Sequence, residues 1–186
     1  MNFKDTLNKR RAVRSLEKVE ISDQDVEKLA RAASLAPSCF NNQPWNYVFV
    51  RDQDTVDEIV SAMPAGNQKW TKNASMIVGV FAKKDDDCVL GDREYYLFDT
   101  GLATQNLLLQ ATEMDLIAHP IAGYNKKKTS QIMNIPDDYN LITLLVVGKR
   151  AAEVAPQLSD DQKKSEKNRP PRKDIDEFAF FEKFSE

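Results

Sequence analysis

With 186 residues the chain has the size of one compact domain, and its 26 basic and 29 acidic residues leave a formal charge of −3. That balance lacks the cationic excess of a nucleic-acid binder, so any anion must be held by a local cluster. Cys39 and Cys88 lie far apart in no Cys-x-x-Cys or Cys/His spacing, which argues against a disulfide framework and a structural zinc site and for reduced thiols in a cytoplasm.

The N-terminus is charged rather than apolar, and no run of about 18 apolar residues follows, so a soluble protein that is not exported is expected. Phe3 to Lys9 reads as a short helix running into the basic cluster Arg10, Arg11 and Arg14, which by itself is a solvated surface. Ser22 and Asp25 are spaced as a capping box for a helix with Val26, Leu29, Ala30 and Ala33 on one face, stopped by Pro37. Pro37 to Pro44 is a shaped loop of short polar residues, and Trp45 to Val50 is a strand. Asp54 can cap a helix carrying Val56, Ile59, Val60 and Met63, followed by an Ala65-Gly66-Asn67 turn.

Ala74 to Phe81 is an apolar run suited to a strand buried on both faces, and Lys83 to Asp87 a charged surface connection. The proline-free stretch from Asp92 to Met114 predicts a long central helix with Leu97, Leu102, Gln105, Leu108, Leu109 and Thr112 on or near its packed face. Gly101, unfavourable there by about 1 kcal/mol, would let a neighbouring backbone approach. Ile117 to Tyr124 is a short strand entering a Pro/Gly loop, Asn125 caps a short basic helix, and Leu141 to Gly148 is an apolar strand. From about 150 to 186 the chain turns polar and ends in Ile175, Phe178, Phe180, Phe181 and Phe184, which need a partner surface. Helices and strands alternate around a sheet, so the class is α/β or α+β.

No Gly-x-Ser-x-Gly, Walker loop, His-Glu-x-x-His or Gly-x-Gly-x-x-Gly is present, which leaves serine-hydrolase, P-loop, zincin and Rossmann chemistry without support. The single histidine, His119, reads as a packed or hydrogen-bonded residue rather than an acid or base. What remains is cations near both ends, Arg10, Arg11 and Arg14 with Lys167, Arg169 and Arg172, and two loops rich in hydrogen-bonding groups, Ser38 to Gln43 and Pro120 to Gly123. This set suits a flat polar cofactor with an anionic tail, such as FMN.

Arg10-Arg11-Ala12-Val13-Arg14, Ala36 to Trp45, Gln105 to Leu109, Ala118 to Gly123 and Lys167-Asn168-Arg169-Pro170 resemble, in order, motifs of the FMN-dependent nitroreductase family. The resemblance implies one α+β domain over 1–186 with a nitroreductase-like fold, a central, mainly antiparallel sheet flanked by helices. It also implies a homodimer whose C-terminal extension, from about 150, lies on the partner. By position, Arg10, Lys167 and Arg169 would hold the FMN phosphate, with Arg11 and Ala12 beside them, and Arg14 would face the pyrimidine edge. Pro37, Ser38, Cys39 and Asn41 would come from the other subunit. Asn67 would meet the ring edge, the backbone of Ala122 and Gly123 would lie beside N5, and Pro120 and Ile121 would join them in binding the cofactor. No catalytic acid, base or metal is implied, because the cofactor carries the chemistry. The implied activity is a ping-pong transfer of hydride from NAD(P)H to nitroaromatic, quinone or similar acceptors. Dehalogenation, enoate reduction and a non-catalytic flavin carrier or sensor are the alternatives. No nucleic-acid or membrane partner is implied.

The chain also departs from the family pattern. Ala12 and Cys39 stand where serine is common, Trp70 where some members have lysine, and Asp115 where glycine is frequent. The short Lys83 to Arg93 stretch leaves little room for a lid.

Overall fold

A computed structural model describes residues 2–184. Its elements are α1 (Phe3–Lys9), β1 (Leu16–Glu17), α2 (Asp23–Ser34), β2 (Trp45–Val50), α3 (Gln53–Ser61), α4 (Ala65–Thr71), β3 (Met76–Ala82), β4 (Val89–Leu90), β5 (Arg93–Glu94), α5 (Tyr96–Glu113), β6 (Leu116–Ile121), α6 (Lys126–Ile132), β7 (Asn140–Arg150) and α7 (Asp160–Lys167). Among the described residues, no helix is long and apolar enough to cross a membrane.

The 11-residue β7 organises the sheet. It pairs antiparallel with β3, β6 and β1, and β3 pairs in turn with β2. Every pairing is antiparallel, as the α+β expectation requires. Alternation along the strands splits the apolar side chains between two cores. Ile77, Leu144 and Val146 pack with Val56 and Ile59 of α3, Trp70 of α4 and Met133 after α6. Met76, Val78, Val80, Leu145 and Val147 pack on the other face with Leu29 and Ala33 of α2 and Ala103, Leu107 and Ala111 of α5. Gly79 permits a close approach, since a Cβ there would lie 2.6 Å from the Met133 sulfur.

Several local expectations hold. Ser22 and Asp25 form the capping box of α2, and Asn125 caps α6 by accepting from Lys128 N. Others require correction. The cap of α3 is Asp52, which accepts from Thr55 N, because the helix begins one residue before Asp54. Ala65-Gly66-Asn67 is the first turn of α4 and not a free turn. The long helix starts at Tyr96, since residues 89–94 form the small β4–β5 hairpin. Its buried stripe runs through Ala103, Leu107 and Ala111, whereas Leu97 is exposed and Gly101 faces open space with no backbone near it. The apolar positions named from the sequence straddle two faces of α5, and burial selects the one carrying alanines against the sheet.

The polar C-terminal stretch contains α7, closed by a Ser159–Gln162 capping box, with Leu158 and Glu166 buried. Beyond it Ile175, Phe178, Phe181 and Phe184 are exposed, and the Phe180 and Phe184 rings meet edge to face at 4.7 Å. Asp115, between α5 and β6, takes φ 61°, a left-handed turn for which glycine is the easier residue, and its carboxylate pairs with Lys9 at 2.8 Å.

Candidate active site

The segment from Arg10 to Ser15 leaves α1 and passes beside the end of α7. Val13 points into the core with no exposed surface, which presents Ala12 and Arg14 outward. The two segments are held together by backbone capture. Arg11 Nη2 donates to the carbonyls of Ser165 and Asn168 at 2.5 and 3.0 Å, and Arg169 Nη2 donates to those of Asn8 and Arg10 at 2.6 and 2.9 Å. Beneath them the carboxylate of Glu166, 1% exposed, accepts from Arg14 N at 2.7 Å and Ser15 N at 3.2 Å.

These clasps shape a cavity of about 280 Å³ lined by Arg10, Arg11, Ala12, Arg14, Arg169 and Arg172, with His119, Ser165 and Pro170 completing the wall. Five guanidinium groups converge here, and none is in an ion pair among the described residues. Burial first, then the charges of Arg169, Arg172 and Arg11, push the Arg10 guanidinium below its ordinary value. Arg11 is lowered by burial and then by Arg150 and Arg169, with Glu166 acting in the opposite sense. Because arginine stays charged, such a cluster is relieved by a bound anion, and guanidinium forks match phosphate geometry. The fit to a phosphate-bearing cofactor therefore rests on an unneutralised cationic cradle. The buried indole Nε1 of Trp70, which has no hydrogen-bond partner among the described residues, is a second unsatisfied polar group nearby.

Trp70 forms the floor of this corner. Its ring lies 4.9 Å from that of His119, and the Arg14 guanidinium carbon sits 5.9 Å above it, a cation–π arrangement. His119, 7% exposed, donates from Nδ1 to the Val13 carbonyl at 2.9 Å, the packed role expected of it. Burial chiefly, with Arg14 and Arg10 adding to it, lowers its pKa from 6.5, while the Val13 bond and Glu166 oppose the shift. A depressed histidine pKa means that the unfolded chain binds the extra proton first. Its stabilisation is therefore complete above about pH 6.5 and is lost as pH falls towards the folded-state value. His119→Asn, which can still donate to Val13, should flatten the fall in urea midpoint between pH 7.5 and 5.5; an unchanged slope would assign that fall to other groups.

The remaining predicted residues occupy two further places. Asn67 Nδ2 donates to the Gly123 carbonyl at 2.9 Å, and a Cβ on Gly123 would lie 2.5 Å from that nitrogen, so the α4 start and the loop after β6 touch only because residue 123 is glycine. Pro120 and Ala122 are exposed on this corner, while Ile121 turns into the core. Pro37, Ser38 and Cys39 line a separate groove with Leu90, Tyr95 and Phe98, not the arginine cavity. In their loop Phe40, Asn41 and Gln43 have φ between 48° and 60°, and Ser38 Oγ accepts from Gln43 N at 3.0 Å.

Two sequence readings change here. Cys39 and Cys88 form a disulfide with Cα atoms 6.1 Å apart, so the expectation of free thiols does not hold. The 3₁₀ turn at Lys84–Asp86 folds the chain back so that Asp87 and Cys88 are buried under the Pro37–Pro44 loop, a closure that cysteine spacing could not signal. Lys167 is exposed and outside the arginine cavity, whereas Arg172 lines it. The buried anchor Glu166 was hidden in a run of lysines and acids that reads as solvated.

A family model described as the nitroreductase family matches residues 7–68 and 58–149. The chain belongs to the nitroreductase family. Over 143 residues it is 29% identical to an Archaeoglobus fulgidus protein described as a candidate NADH dehydrogenase/NAD(P)H nitroreductase, covering 75% of this chain and 80% of the relative. An oxygen-insensitive NADPH nitroreductase of Helicobacter acinonychis is 31% identical over 116 residues, 61% of this chain and 54% of that one. A solved oxidoreductase containing FMN superposes with a TM-score of 0.84 at 25% identity, over 100% of this chain and 94% of the other. The nitroreductase fold thus spans the described chain, including the arginine cavity at its N- and C-terminal seam.

Proposed function

We propose that this member of the nitroreductase family binds FMN and acts as a cytoplasmic NAD(P)H-dependent oxidoreductase on nitroaromatic, quinone or similar small acceptors. The observation that carries the reading is the arginine cavity, a cradle of five cations without a facing carboxylate. In this reading Arg10 and Arg172 would take the phosphate, Arg169 would contribute from its clasped position, and Arg14 would face the ring. When bound, the flavin supplies hydride acceptance from the nicotinamide and hydride or electron donation to the acceptor.

The chain's own residues position and polarise. Arg14, held over Trp70 and anchored through its backbone by Glu166, would supply fixed positive charge to the negative charge that a reduced isoalloxazine gathers. Asn67 and Gly123 make a compact polar edge, and the exposed Pro120 and Ala122 leave room beside it for a flat ring. His119 is kept neutral and engaged with Val13, so it transfers no proton in this reading. Lys167, Pro37, Ser38, Cys39 and Asn41 lie away from the cavity in one chain. The reading therefore includes a homodimer in which the Pro37 loop reaches the partner's ring and the aromatic C-terminal segment covers the partner surface, which would account for five large exposed hydrophobics beyond α7.

The purified protein should be yellow or become so on adding FMN, with one flavin per chain, and anaerobic NADH or NADPH should bleach it. Colourless protein that takes up no FMN would sink the reading. Flavin that neither nicotinamide reduces would leave a binding protein in place of an enzyme.

A further inference from the structure

The disulfide sits in a setting that a structural crosslink does not require. Asp87, 8% exposed, lies against both sulfurs: Sγ of Cys39, Sγ of Cys88 and a carboxylate oxygen of Asp87 are all within 4.8 Å of one another. One Asp87 oxygen accepts from Asn42 Nδ2 at 3.2 Å, but the other, Oδ2, is buried with no hydrogen-bond partner. Asn42 Nδ2 also faces Cys88 Sγ at 3.5 Å. Asp99, on the first turns of α5 and 2% exposed, accepts from Cys39 N at 2.6 Å. No basic side chain pairs with either acid among the described residues, since Lys83 and Lys84 are engaged with Asp138 and Glu94. A buried carboxylate oxygen without a hydrogen-bond partner is a costly group that a bound cation would satisfy.

We propose that Cys39, Cys88 and Asp87 bind a zinc ion once the disulfide is reduced, so that zinc and the disulfide are alternative occupants of one cluster. The donor set is two thiolates and a carboxylate, a soft-and-hard mixture that suits Zn²⁺ and not Mg²⁺ or Ca²⁺. The Cα separation of 6.1 Å lets the sulfurs relax to the roughly 3.8 Å spacing that two Zn–S bonds of about 2.3 Å demand in a tetrahedron. The fourth position falls to water or to Asp99, which already holds the Cys39 backbone in place. A dithiol reductant supplies two electrons and two protons to the S–S bond, closing its own disulfide and leaving two thiols. Zinc then displaces both thiol protons to solvent as the two Zn–S bonds form. Either occupant crosslinks the Pro37–Pro44 loop to the turn before the β4–β5 hairpin, while the intermediate dithiol leaves that junction to hydrogen bonds such as Asn42–Asp87. The inference stands whether or not the flavin reading does.

The test uses the full chain, as purified and after reduction with a phosphine that is then removed under argon. Each sample is mixed with Zn²⁺, desalted and analysed for metal, with proton release followed at pH 7. The reduced protein should retain about one zinc per chain and release about two protons, because thiols that are mostly protonated at that pH must ionise. The disulfide form should retain none, C88S should lose retention, and D87N should weaken binding by at least about tenfold. Because C88S can hold neither occupant, parallel far-ultraviolet circular dichroism checks that it is folded, and if it is not, D87N carries the test. Reduced protein that retains no zinc overturns the proposal, as does equal retention by the oxidised form or by C88S, which would place the metal on surface carboxylates.

Discussion

Glu166→Ala is expected to lower the unfolding free energy by about 2–5 kcal/mol, because it strands two backbone amides that have no other acceptor within the fold. The carboxylate accepts from Arg14 N and Ser15 N, its residue is 1% exposed, and its own carbonyl accepts from Arg150 Nη2 at 3.0 Å. Ser15 extends the same seam, its Oγ accepting from Ala155 N at 3.0 Å and its carbonyl from Ala151 N at 2.9 Å. Loss of the carboxylate also removes the one buried negative charge under a cluster of guanidinium groups, so repulsion among them adds to the unmet amides. Against the 5–15 kcal/mol that holds a typical domain, the change is large. Urea unfolding of the apo protein measures it. Glu166→Gln, which keeps an acceptor oxygen for one amide, should lose about half as much and guards against an alanine variant that does not fold. Parent-like midpoints for both would show that the seam does not depend on this side chain.

The parts of the fold legible in the sequence are those written in local periodicity. The β2, β3 and β7 runs, the Ser22–Asp25 cap and the Asn125 cap each depend on a few neighbouring residues, and each is found where its pattern lies. What could not be read were features closed by distant chain. The two-residue strand β1 exists only because Leu16 and Glu17 meet Arg150 and Lys149. The packed face of α5 is chosen by which stripe fits the sheet, where alanines Ala103 and Ala111 alternate with the buried Leu107. Within the site, Arg10, Arg11, Ala12, Arg14 and Arg169 line one cavity. Arg172 joined them because Pro170 and Pro171 keep the chain from turning helical after Arg169, while Lys167, still on α7, faces away. Arg11 shows how a cation can be drawn to such a cavity and yet spend its donors on backbone carbonyls, so its contribution is to hold the α7 end in place.

Arg10→Ala is expected to weaken FMN binding on the order of 100-fold, the equivalent of losing one or two charge-assisted hydrogen bonds to a phosphate. Arg10 is the guanidinium whose surroundings are most one-sided: burial and three neighbouring arginines all act on it in the same direction, and no acid acts in the other. A guanidinium crowded by like charges gains when an anion arrives. Two comparisons isolate that cause. Riboflavin, which lacks the phosphate, should bind parent and variant alike, and Lys167→Ala should leave FMN affinity within about twofold, since an exposed lysine outside the cavity is screened by salt. Removing one of five clustered like charges should also leave the apo protein as stable as the parent or more so, even as holo stability falls, because the stabilisation that FMN adds scales with its affinity. Fluorescence titration of each flavin with thermal unfolding of the apo forms measures all three. An Arg10→Ala protein that binds FMN and riboflavin with equally reduced affinity would assign Arg10 to shaping the pocket, and not to the phosphate.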